Sequence, residues 1–357
     1  MNTKITILVF LLFVANTITA QKSYDLKTIT VSATNEPDTV FGSRKFSVSD
    51  YEFYEDKLLL LTFENNLEHA KLILADGEQK ILSSFDIPDE AERLYKDYLG
   101  YVNVICKEHI YRIKIKEDVI HLAQLPMEDY KKLIMPCIDT IEKDIYFSNY
   151  QKDFPEFTYY TYNTNNTTIK PLRTVTDKEQ LRDYNMEYYF LKPKDKLVCI
   201  KLADEYKVDK HRIAAHISGL TTSVFYTPLY APLFVLRDTV CVFDHYANAI
   251  LKYDKKQNLL DSISVNYNHP QNWREWKHLL LADKETNKVY ALYQKNGIYQ
   301  LNEISLYSGK IISTYKLTNK YVKNIKMKNG YVYYIYRPFE SLQEQFVYRE
   351  LIREGKR

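Results

Sequence analysis

Glycine is scarce in this chain, 8 residues in 357, and proline is nearly as rare at 11. That composition excludes a collagen-like repeat and a long Gly- or Pro-rich disordered segment. No single sign of charge dominates either: 49 Lys and Arg face 46 Asp and Glu, for a formal net charge of +3. The overall balance gives no electrostatic basis for nucleic-acid binding or for attraction to an anionic membrane. Cysteine is limited to four residues. None stands in a CxxC pattern, and HExxH and EF-hand spacings are missing, so no metal and no cofactor is expected.

Long apolar runs are also absent. The best is Ile5 to Ala15, well short of the roughly 20 residues a spanning helix needs. Preceded by Lys4 and followed by Thr19-Ala20-Gln21, it reads as a secretory signal over residues 1–20, cleaved after Ala20. The mature chain is then expected in the periplasm or outside the cell, where disulfides are permitted. Cys106, Cys199 and Cys241 each fall in a predicted second strand of a repeat, and Cys137 in a predicted first strand. Buried single thiols are the expected state, with a Cys106 to Cys137 bridge as the alternative.

What the chain has in quantity is tyrosine, 33 residues of it. Tyrosine favours strands. Seven stretches align without a gap, each a turn-like pair followed by an apolar, β-rich run. They are DKLLLLTFE from Asp56, GYVNVICKE from Gly100, KDIYFSNYQ from Lys143, DKLVCIKLA from Asp195, DTVCVFDHY from Asp238, NKVYALYQK from Asn287 and NGYVYYIYR from Asn329. Their spacing of about 42 to 52 residues matches a four-stranded propeller blade. The expected fold is therefore all-β, a seven-bladed β-propeller over residues 46–352, with a charged tail at 353–357.

The strands after these runs repeat as well. Turn residues stand where hairpins need them, at Asp76-Gly77, Glu117-Asp118, Asn163 to Asn166, Lys255 to Asn258 and Ser308-Gly309. The fourth unit, around Tyr206 to Ile217, is degenerate, and a six-bladed ring results if it is an insertion. The charged stretches DEAERLYKDY from Asp89 and EDYKKL from Glu128 suit short helical or irregular connections. The last unit offers only three strands, near Tyr321 to Lys328, Tyr331 to Arg337 and Phe346 to Ile352. The N-terminal segment 21–45 is expected to supply the fourth, through Leu26 to Ser32, because an open ring would expose two sheet edges.

The fifth unit, VFDHYANAILKYDKKQNLLDSISV, resembles the NHL-type and YVTN-type propeller blades of secreted Bacteroidota proteins. It departs from them at Gln257-Asn258, where a glycine usually marks the turn. The resemblance implies the fold and carries over no catalytic residue.

In such a ring the ligand face is expected at the loops joining second to third strands and consecutive blades. The richest is NYNHPQNWREWK at 266–277, which holds His269, Trp273, Arg274 and Trp276 and follows Asp244, His245 and Tyr246. A flat aromatic beside an arginine suits a sugar ring or a peptide side chain, although tryptophans wedged between blades would serve the core instead. Tyr150, Tyr184 and Arg337 are further candidates on the same face. His211 and His216, in the degenerate unit, read as solvated polar residues. The expected function is a secreted, non-enzymatic binding module for a protein or glycan. A propeller enzyme such as a carbohydrate lyase or hydrolase, and an envelope assembly component, are the alternatives.

Overall fold

The computed structural model describes residues 36–224, 226–338 and 344–352. The signal-type segment 1–20, the strand expected at Leu26 to Ser32 and the tail at 353–357 lie outside them. Among the described residues the strands form six four-stranded antiparallel sheets, not seven. Five run consecutively through the chain, at 47–86, 91–125, 137–176, 233–264 and 276–320. The sixth joins three strands at 323–351 to Asp38–Phe41, which pairs with Phe346–Leu351 through Asp38 opposite Arg349 and Thr39 opposite Tyr348. A strand from near the N-terminus thus completes the last blade, and the first blade's inner strand, Ser47–Tyr54, packs against that sheet to close the ring.

Six of the seven aligned runs are the second strands of the six blades. The seventh, from Asp195, is helical, and so is the degenerate unit after it. Three helices, α1 (Lys178–Phe190), α2 (Pro193–Tyr206) and α3 (Lys210–Ser218), fill the connection between the third and fourth blades. Local chemistry specifies them. The Asp177 carboxylate caps α1: it accepts from the backbone N–H groups of Glu179 and Gln180 and, at 2.8 Å, from the Gln180 side-chain amide. Pro193 opens α2, where its missing N–H costs nothing, and Gly219 ends α3 at φ 81°. Cys199 is accordingly buried inside a helix rather than a strand, beside Ala203 on the same face. A second correction concerns DEAERLYKDY, whose Ala91–Lys96 forms the inner strand of the second blade.

The core lies between blades. Leu59, Leu61, Leu72 and Leu74 of the first blade meet Leu94, Val102 and Val104 of the second. Burying each such side chain contributes about 2 kcal/mol. Tyrosines fasten the joints by placing the ring in this core and the hydroxyl on a neighbouring element. The Tyr51 hydroxyl donates to the Asn324 carbonyl at 2.7 Å, and that of Tyr159 to the Ala231 carbonyl at 2.6 Å. Asp50 joins three blades: its carboxylate accepts from the N–H groups of Tyr51 and Leu94, each at 2.8 Å, and from the Asn324 amide at 3.2 Å. All four cysteines are free thiols, so Cys106 and Cys137 are not bridged.

Candidate functional site

In each blade the turn between second and third strands lies at the same end as the connection into the next blade. The loops at 149–155, 244–248, 265–275, 295–297 and 321–322 therefore share one face of the ring with Arg337. On this face the fourth-to-fifth blade rim, richest in aromatics, is largely occupied by structural contacts. Asp244 is buried, receives the Arg173 guanidinium at 2.7 and 3.0 Å, and accepts from the N–H groups of Tyr246 and Ala247. The Tyr246 hydroxyl accepts from the Tyr230 N–H at 3.0 Å.

His245 sits in an aromatic box. Its Nδ1 donates to the Tyr230 carbonyl at 2.7 Å and its Nε2 accepts from the Tyr267 hydroxyl at 2.8 Å. The ring stacks on Tyr230 at 5.5 Å and meets Trp276 nearly edge-on at 5.7 Å. Burial pushes its pKa down to about 4, helped by His278 and His269 and opposed by the Tyr230 carbonyl and Asp244. A neutral imidazole with both nitrogens engaged is a fastener between blades.

The two tryptophans of this rim have different environments. Trp276 is buried in the box, while Trp273 is 71% exposed with the Arg274 guanidinium 5.5 Å from its ring. His269 is exposed and bonds through Nε2 to the Asn248 side chain at 2.8 Å. Tyr150 is partly exposed, with its ring edge-on to Phe157. Tyr184 is fully buried midway along α1, its hydroxyl donating to the Asp153 carbonyl at 2.6 Å. His211 and His216 are both paired with carboxylates: His211 lies 2.7 Å from Asp209, and His216 joins Arg212 on Asp153.

Arg337 stands apart from this network. With Lys320, Tyr321, Lys323, Ile335, Tyr336 and Gln345 it lines a cleft of about 560 Å³ between the fifth and sixth blades. Among the described residues no carboxylate lines the cleft. Among the described residues none of its three cations is in an ion pair, and all three are exposed. The tyrosine floor is set by backbone geometry. Strands ending at Lys320 and beginning at Lys323 leave a two-residue connection, with Tyr321 at φ 55° and its N–H bonded to the Gly297 carbonyl at 2.8 Å. A Cβ on Gly297 would lie 2.6 Å from the Tyr321 ring, so only glycine lets that ring lie flat there. Lys320, Tyr321, Lys323, Tyr336 and Gln345 were not singled out in the sequence. The signal for them is the K-Y-V-K run between two strands, read together with Arg337.

Some charges on or next to the inner strands are paired with one another. Lys326 contacts Glu52 and lies 3.9 Å from Asp50, and Lys284 pairs with Asp139. Among the described residues one group has the composition of a metal site, Asp89 with Glu108 and His109. The Asp89 carboxylate already accepts from the N–H groups of Glu90, Glu108 and His109 and meets His109 Nδ1 at 3.3 Å, which makes it a turn fastener. Between the fourth and fifth blades a larger cleft of about 670 Å³ mixes both signs, with Lys252 and Lys288 beside Asp261 and Glu303. Among the described residues no helix is long and apolar enough to cross a membrane.

No protein-family model and no curated protein matches the chain. Solved structures that it is similar to include a virginiamycin B lyase from Staphylococcus aureus, at 10% identity over 84% of this chain and 80% of that one, with a TM-score of 0.35. A luciferin-regenerating enzyme matches at 9% identity over 88% and 95%, with a TM-score of 0.42. BamB from Moraxella catarrhalis matches at 9% identity over 88% and 85%, with a TM-score of 0.31. At these scores the likeness carries no residue role, and the six-bladed ring rests on the sheets themselves.

Proposed function

We propose that this protein is a non-enzymatic binding module whose ligand is an anionic glycan, one bearing carboxylate or sulfate groups. The observation that carries this reading is the cleft at Lys320, Lys323 and Arg337, where three exposed cations meet two tyrosines and, among the described residues, no acid. Unpaired cations around a concavity favour an anion, and tyrosine faces suit the flat side of a sugar ring. Trp273 with Arg274, on the same face, repeats that pairing of ring and cation. Binding is favoured over catalysis because His245, Asp89 and Asp153, whose pKa values are displaced, are engaged in holding loops together.

Titration calorimetry with a sulfated or uronate-containing oligosaccharide and with its neutral counterpart tests the reading. The anionic form should bind, with affinity falling as salt rises. Arg337→Glu combined with Lys323→Glu should weaken binding by at least about tenfold for each charge-assisted hydrogen bond removed. Equal binding of both sugars, or no effect of the double substitution in a folded protein, refutes it.

A further inference from the structure

We infer that the corner between α1 and α2 is a docking surface for an anionic lipid bilayer. The inference does not depend on the glycan cleft, because a different part of the molecule carries it. Over residues 188–201, YYFLKPKDKLVCIK, four lysines stand against one aspartate, a local excess that the near-neutral chain conceals. Tyr189, Phe190 and Leu197 at this corner are 68%, 72% and 69% exposed. The helices spend their inward faces on each other and on the ring, through Tyr184, Cys199 and Ala203. Outward on the first three turns of α2, next to the corner, stand Lys194, Leu197, Ile200 and Lys201, residues three and four apart and hence on one face, while the exposed Asp204 and Glu205 lie in its last turn, away from the corner.

Charge complementarity selects the occupant. Among the described residues none of Lys192, Lys194, Lys196 and Lys201 is in an ion pair, so their charge is available to a negative surface. Lys196 lies 5.7 Å from the ring of Tyr188 and 5.5 Å from that of Tyr189, so cation and aromatic form one unit. Lysines interleaved with aromatic and aliphatic residues suit the boundary of a bilayer. There the rings enter the headgroup layer while the lysine stems keep their ammonium groups at the phosphates. A protein interface is the poorer fit, because lysine is depleted from interface cores. The opposite end of the helical unit is anchored to the ring, by Tyr184 and Arg212 to Asp153 and by Gln180 to the Thr227 carbonyl. A bilayer docked at the corner would therefore hold the ring at the membrane surface without any spanning segment.

Co-sedimentation of the purified protein with vesicles provides the test, using phosphatidylcholine alone and phosphatidylcholine containing about one-third phosphatidylglycerol. The anionic vesicles should bind and the neutral ones should not. Each lysine charge near such a surface is worth about fivefold in affinity, so Lys192→Glu, Lys194→Glu and Lys196→Glu together should cost roughly a hundredfold or more. Phe190→Ser with Leu197→Ser should also weaken binding, and circular dichroism melts confirm that either variant is folded. Failure of the unaltered protein to bind anionic vesicles overturns the inference, as does binding that folded variants retain. Concentration-dependent dimerisation without lipid, abolished by Phe190→Ser with Leu197→Ser, would assign the surface to a second copy and overturn it too.

Discussion

Acidifying the protein should weaken the joint between the fourth and fifth blades through one residue, His245. Its imidazole is neutral, with Nδ1–H donated to the Tyr230 carbonyl and Nε2 accepting the Tyr267 hydroxyl proton. Protonation would place a second N–H against that hydroxyl and a charge among the rings of Tyr230, Tyr267 and Trp276. Burial thus lowers the pKa from 6.5 to about 4. The unfolded chain takes up this proton near pH 6.5, whereas the folded chain resists until about pH 4. The associated stability is complete above pH 6.5 and is lost as pH falls through that window. A gap of about 2.5 pH units at 1.36 kcal/mol each amounts to about 3 kcal/mol. His278, also pushed down by burial, acts in the same direction. His245→Asn removes the titration while its amide can still donate to the Tyr230 carbonyl. Urea unfolding of both proteins near pH 7 and near pH 4 isolates the effect, because carboxylates shared by the two cancel in the difference. The unaltered protein should lose its advantage over the variant, by about 3 kcal/mol, as pH falls. An advantage independent of pH refutes the assignment of His245 as a buried neutral fastener.

Other perturbations have equally specific outcomes. Asp50→Ala leaves the buried N–H groups of Tyr51 and Leu94 without their acceptor and should cost about 3 to 4 kcal/mol in urea unfolding, with Glu52→Ala, nearer the surface, costing less. The Asp153 carboxyl is desolvated, yet the hydrogen bonds of Arg212 and His216 outweigh this and hold its pKa below the ordinary carboxylate value. The docking it supplies is complete above that ordinary value and lost as pH falls through the lowered one; Asp153→Asn should speed amide exchange in the three helices while leaving the inner strands protected. Gly297→Ala, at φ 80° and against the Tyr321 ring, should cost about 1 to 2 kcal/mol in thermal stability and weaken anionic-glycan binding.

The fold was legible because a blade's second strand is buried on both faces and so appears as an unbroken apolar run. Val102 to Cys106 is buried throughout, and Leu58 to Leu61 and Val240 to Asp244 are buried likewise, whereas Asp144–Ser148 buries only Tyr146. That signal misleads at Asp195, where Leu197, Val198, Cys199, Ile200 and Leu202 satisfy a strand template and a helix equally. The capping residues decide between them: Asp177 with Gln180, Pro193 and Gly219 all bracket helices. Closure was legible in kind, since three strands in the last blade demand a fourth. The segment that supplies it among the described residues, Asp38–Phe41, is only four residues long and carries little pattern of its own.

The site was less legible, and the reason lies in what tyrosine does here. A residue with an apolar ring and a polar tip can enter the core between blades and bond the next blade's backbone, as Tyr51, Tyr159 and Tyr230 do. In a chain built this way aromatic density reports on joints before ligands, which is why the densest stretch, around His245 and Trp276, proved to be a fastener. Acids follow the same logic, since Asp50, Asp89, Asp153 and Asp244 all bind loops or neighbouring blades. Cations without such work are then the informative residues. Lys320, Lys323 and Arg337 in the cleft, and Lys192, Lys194 and Lys201 at the helical corner, are exposed charges that the fold does not use. Each set lies beside exposed rings, Tyr321 for the first and Tyr189 with Phe190 for the second. A positive charge left unpaired next to an exposed aromatic has little to contribute to folding stability. It has much to contribute to an anionic partner, which supplies the missing counter-charge and covers the ring in one step.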